Sequence, residues 1–73
     1  MSKRKLAAYY LALCGELERE PEDVMAWPNR DIVVRNRELE ERLRGCPGGD
    51  EAVIEAKREV PFWEHQLLGE MGG

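Results

Sequence analysis

Chemistry near neutral pH draws first on histidine, cysteine, serine and paired carboxylates, and this chain of 73 residues is poor in them. His65 is its one histidine, set in REVPFWEHQLLGEMGG with Glu64 beside it, Glu59 six positions back and Glu70 five ahead. A general base needs a partner that orients its imidazole. Adjacent helical residues diverge by about 100°, and separations of five or six are not helical neighbour pairs, so none of these acids can serve from the same helix. His65 therefore reads as a solvated or partner-facing side chain. Cys14 and Cys46 stand 32 positions apart outside any C-x-x-C pair, and with a single histidine they fall short of the four ligands of a zinc site. Ser2 is the only serine and threonine is absent, which leaves serine-based acyl transfer unsupplied. The glycine-rich GCPGGD lacks the lysine and hydroxyl of a phosphate-binding loop. The expectation is a chain that is not an enzyme, with no catalytic residue, cofactor, metal or small-molecule substrate.

Recognition is better supplied. Phe62, Trp63, Leu67, Leu68 and Met71 crowd one end of the chain beside Glu59, Glu64 and Glu70, the mixture of aromatic anchor and polar rim found at protein interfaces. A second set is cationic: Lys3, Arg4 and Lys5 form a basic arm, and Arg30, Arg35 and Arg37 place fork-shaped donors on a helix that follows a short helix and a turn. Those six residues define an alternative, a nucleic-acid accessory protein.

The elements that must carry these residues are helical. Leu6, Tyr10, Leu13 and Leu17 step by four, three and four, predicting a helix over 3–19 capped by Ser2 and widened on its apolar side by Ala7, Tyr9 and Cys14. Gly15 interrupts it and implies a close helix contact there, since glycine costs about 1 kcal/mol against alanine. Bases at its start and acids at its end oppose the macrodipole, so packing must hold it. Pro21 and Pro28 bracket a short helical turn over 21–27 whose Val24, Met25 and Trp27 can plug one end of a bundle. Asn29 is placed to cap a second helix over 30–44, ended by Gly45 in a left-handed conformation. Its seam is Ile32, Asn36, Leu39 and Leu43. Asn36 is the polar exception there, read either as a register-fixing group or as a water-bonded edge residue. Its outer side pairs Arg37/Glu41, Glu38/Arg42 and Glu40/Arg44. After the breaker GCPGGD, with Asp50 as cap, Val53, Ala56, Val60, Trp63 and Leu67 continue in phase across Pro61. That predicts a third helix over 51–69, broken or kinked near Pro61. The fold class is all-α: three main helices and one short helical turn in a single domain spanning 1–73.

The formal net charge is −4, and it is uneven. Residues 16–23 hold five acids and one base, and residues 50–73 hold six acids and two bases. Such a balance repels phosphate at long range and disfavours an extended nucleic-acid surface. No run is long enough to cross a bilayer, and the basic start meets glutamates before any cleavage site, so a cytoplasmic protein with two free thiols is expected. The sequence thus points to a small acidic protein-binding module, an adaptor, inhibitor or assembly partner that docks on another protein or on its own copy.

Overall fold

The computed structural model describes the backbone of residues 2–72 and the side chains of residues 2–67. Among the described residues there are three α-helices and one short 3-10 turn, and no strand: α1 (Lys3–Leu17), the 3-10 turn (Val24–Ala26), α2 (Asn29–Arg44) and α3 (Gly49–Gly72). Among the described residues no helix is long and apolar enough to cross a membrane.

Helix α1 begins where Ser2 predicts, with the Lys5 amide donating to Ser2 Oγ at 3.3 Å. It ends two residues earlier than the periodicity suggests. Glu18 turns left-handed at φ 54°, the Glu18 amide donates to the Gly15 carbonyl, and the Arg19 amide donates to the Cys14 carbonyl at 3.0 Å. This double closure satisfies the last carbonyls of the helix and turns the chain out of it.

Contacts between elements fix their directions. The Asn36 amide Nδ2 donates to the Leu6 carbonyl at 3.2 Å, Tyr9 donates its hydroxyl to Glu40, and Lys3 Nζ reaches the carbonyls of Met25 and Trp27. Partners therefore advance together along both helices, and α1 and α2 run parallel. Residues 18–28 form a strap that carries the chain back to the starting end. Helix α3 returns antiparallel, with Glu16 near Glu55 and Glu59, and Ala7 and Leu11 near Trp63 and Leu67. The strap is anchored inside. The Glu22 amide donates to the hydroxyl of fully buried Tyr10 at 2.9 Å, and Val24 enters the core.

Helix α1 is central and packs against both other helices more extensively than they pack against each other. Leu6, Ala7, Ala8, Tyr10, Ala12, Leu13 and Cys14 are all buried, with Tyr9, Leu11 and Leu17 packed at the margin. The single stripe read from the sequence is thus one side of a helix enclosed on several. Ile32, Asn36, Leu39 and Leu43 of α2 and Val53, Ala56 and Leu67 of α3 complete the core.

Several local expectations are corrected. The turn between Pro21 and Pro28 is three residues of 3-10 helix rather than a full α-helical turn. Pro28 occupies the N-cap of α2 in extended geometry, and Asn29 is its first helical residue, without a side-chain cap. The left-handed glycine is Gly48, at φ 74°, and Gly45 is right-handed at φ −75°. Asp50 lies within the first turn of α3, which begins at Gly49. A Cβ at Gly49 would fall 1.6 Å from the Leu43 carbonyl oxygen, so this residue must be glycine for α3 to start against the end of α2. Of the break or kink expected at Pro61, the break is absent: α3 is one helix through this exposed proline, and the helix carbonyl lacking a donor there can bond water. Of the three expected pairs on α2, Glu40/Arg44 closes at 4.0 Å, while Glu38 pairs at 3.5 Å with Arg35 instead of Arg42.

Gly15 is exposed, and a Cβ there meets nothing within 4 Å, so no close approach explains it. Gly15→Ala is expected to stabilise the protein by about 1 kcal/mol, raising the melting temperature by roughly 4–8 °C in a thermal unfolding experiment. An unchanged or lower melting temperature would contradict this account of an open helical position.

Candidate protein-docking surface

The aromatic end of the chain divides between core and surface. Leu67 follows the α3 stripe inward and is buried. Trp63, one turn earlier, is half-buried, and its Nε1 donates to Glu59 Oε1 at 3.3 Å, a spacing of four that fixes the indole along the helix. Phe62 points outward with 56% of its surface exposed, and its ring meets Trp63 edge to face, with centroids 5.2 Å apart and planes at 83°. That geometry suits the aromatic quadrupoles. The side chains of Leu68 and Met71, the other members of the expected patch, lie outside the described residues. His65 is exposed on the same helix, and Glu64 beside it is half-buried.

Trp63 and Leu67 also form one wall of a groove of about 450 Å³. Ala7 and Leu11 of α1 contribute the floor, and Val24 and Met25 of the strap the opposite wall. Glu22 and Asp23 stand on the strap side, so the apolar groove has an acidic lip. Periodicity could not reveal this feature, because it depends on the strap folding back beside the end of α3. Its one sequence signal was the acidic run 16–23 leading directly into Val24 and Met25.

The neighbouring face is acidic around Glu16, with Arg58 pairing one of its acids, Glu55, at 3.8 Å. Desolvation pushes the Glu16 carboxyl up, and the negative charges of Glu59 and Glu55 add to the shift. Like charges this close destabilise one another unless a counter-charge approaches.

Two of the six cations of the alternative reading already have partners within the fold. Lys3 donates to backbone carbonyls at the end of the 3-10 turn, including that of Met25 at 3.2 Å. Arg35 lies 5.1 Å above the Trp27 ring and pairs with Glu22 at 2.7 Å and Glu38 at 3.5 Å. Arg4 is half-buried, whereas Lys5, Arg30 and Arg37 are exposed. Trp27 is itself half-buried, a lid held down by Arg35 rather than a fully enclosed plug.

Polar groups also bind α1 to α2 at their seam. Asn36 is 4% exposed and ties α2 to α1 through the Leu6 carbonyl, while its Oδ1 has no hydrogen-bond partner among the described residues. The Tyr9 hydroxyl bonds Glu40 at the α1–α2 seam, and burial followed by that bond raises its ionisation well above the usual tyrosine range. Among the described residues no group of three or more histidines, cysteines or acids is placed to hold a metal ion. Comparison with family models, with curated proteins and with solved structures gives no match.

The cysteines are unpaired, Cys14 buried and Cys46 exposed. Burial also pushes the Cys14 thiol up, which depletes the reactive thiolate. A colorimetric thiol reagent at pH 8 should therefore titrate one thiol of the native chain promptly and the second only after denaturation. Prompt reaction of both would show that the core around Cys14 opens readily.

Proposed function

We propose that this chain is a protein-binding module that docks through the aromatic surface at the end of α3. The observation that carries the reading is Phe62, a large apolar side chain left more than half exposed and stacked edge-on against Trp63, next to an apolar groove. Isolated exposed apolar residues are ordinary, but an exposed aromatic adjoining a second aromatic and a groove is the arrangement from which interface anchors are built. The mechanism is burial of that surface against a complementary face. The acidic surroundings of Glu22, Asp23 and Glu59 orient the approach and shape its rate more than its final affinity.

The internal use of Lys3 and Arg35 leaves fewer free cations for a nucleic-acid surface than composition alone suggests. The protein-binding reading is therefore preferred.

Phe62→Ala tests it. The variant is expected to keep its helical circular dichroism and melt close to the parent, because the residue lies outside the core. Light scattering across a dilution series then reports self-association, and quantitative capture on immobilised parent and variant chains reports other partners. The substitution should weaken whichever association is seen by roughly tenfold, the scale of one modest interface anchor. A variant that unfolds would assign Phe62 to the core. One that associates as strongly as the parent would remove the surface from consideration.

A further inference from the structure

The groove between the strap and the end of α3 carries information about what would enter it. Its interior is apolar and adaptable: Leu11, Val24 and Leu67 are aliphatic, and Met25 and Trp63 stand on opposite walls. Methionine repacks readily around different shapes, and an indole offers a broad flat contact. The strap edge is acidic, and a further acid stands behind the α3 wall. Glu22 and Asp23 line the strap edge, with Glu22 already paired to Arg35 at 2.7 Å, and Glu59, outside the groove lining, holds the Trp63 indole. Asp23 makes no side-chain cap to the 3-10 turn that follows it, so that structural role does not occupy its carboxylate. Beyond Glu59 the negative field continues to Glu55 and Glu16.

We infer that this groove takes a basic, apolar-anchored segment of a different protein, with aliphatic or aromatic side chains on the groove floor and Lys or Arg against Asp23 on the strap edge and Glu59 beside Trp63. The inference rests on the docking reading above and narrows its partner class. Charge complementarity selects the occupant. A second copy of this chain brings another net charge of −4 and is repelled at long range, and a phosphate backbone meets the same field. A basic segment neutralises Asp23 and relieves the like-charge crowding around Glu59.

Three synthetic amphipathic peptides test this. They share one leucine face and carry lysine, glutamine or glutamate on the other. Titration into the labelled full chain is followed by nuclear magnetic resonance, where the indole N–H signals distinguish Trp63 at the groove from Trp27 away from it. The lysine peptide is expected to move the Trp63 signal at low salt, to bind about tenfold more tightly than the glutamine peptide, and to weaken as salt rises. Asp23→Asn with Glu59→Gln should remove most of that preference, since the glutamine amide oxygen still offers the Trp63 indole an acceptor. Glu41→Gln with Glu51→Gln, the same loss of charge at exposed positions away from the groove, should leave it intact.

Equal affinity of the lysine and glutamine peptides at the Trp63 signal would overturn the basic partner and keep the docking surface. Equal weakening by both pairs of substitutions would reduce the effect to bulk attraction and overturn the assignment to the groove. A lysine peptide that moves the Phe62 ring signals but not Trp63 would overturn the groove and leave the docking reading standing. Failure of every peptide to perturb either residue would overturn both.

Discussion

Burial of α1 is the constraint from which the rest of the architecture follows. Its charges are arranged against its own dipole, an effect of about 0.3–1 kcal/mol at each end, whereas enclosing a large side chain contributes about 1.5–3 kcal/mol. Tyr10 and Leu13 are fully enclosed and Leu6 nearly so, so packing outweighs the unfavourable charges by a clear margin. A helix enclosed on several sides needs neighbours on several sides. Two helices and the strap supply them, and the strap exists because α2 lies parallel to α1 and the chain must first travel back. Tyr10 serves both needs: its ring fills the centre, and its hydroxyl accepts the Glu22 amide that would otherwise lack a partner on the strap.

Long polar side chains complete what apolar burial begins. Lys3 satisfies carbonyls at the end of the 3-10 turn and brings the start of α1 to the start of α2. Arg35 covers Trp27 and reaches Glu22, so the strap is held from within by Tyr10 and from outside by Arg35. Asn36 adds one directional contact between the parallel helices at the Leu6 carbonyl. Its unpartnered Oδ1 is a cost that a purely apolar seam would avoid, and its Nδ2 bond is a positional constraint that such a seam would lack.

The three helices were legible because each carries an apolar repeat at helical spacing, and the α3 stripe stayed in phase through Pro61. Direction was not legible, since a stripe on α2 reads the same whether the helix lies parallel or antiparallel to α1. The terminal details failed where two residues competed for one role. Pro28 took the cap position from Asn29 because its fixed backbone already has the extended geometry that a cap requires, and Gly48 rather than Gly45 made the left-handed turn. Leu67 and Trp63, grouped with Phe62 in the expected docking patch, followed the stripe inward instead, Leu67 into the core and Trp63 to its margin, because the sequence offers both roles to an aromatic or aliphatic residue that is on the stripe and also in the patch. The groove was not legible, being a product of tertiary contact between segments far apart in the chain. The same reach hid the internal roles of Lys3 and Arg35, whose long side chains find partners that sequence spacing does not indicate.

The central place of α1 has a consequence for how the chain acquires its structure during synthesis. The helix that is made first is the one whose surroundings are completed last, because α3, which contributes its largest contact, follows it by more than 30 residues. Until then a segment carrying Leu6, Tyr10, Leu13 and Leu17 has no full enclosure, and its misaligned charges give it little helical stability alone. The nascent chain therefore passes through an interval in which its most apolar segment is its least protected. Closing that interval depends on the release of α3 more than on any local event in α1, so premature termination within α3 would yield a sticky, incomplete polypeptide rather than a smaller folded one.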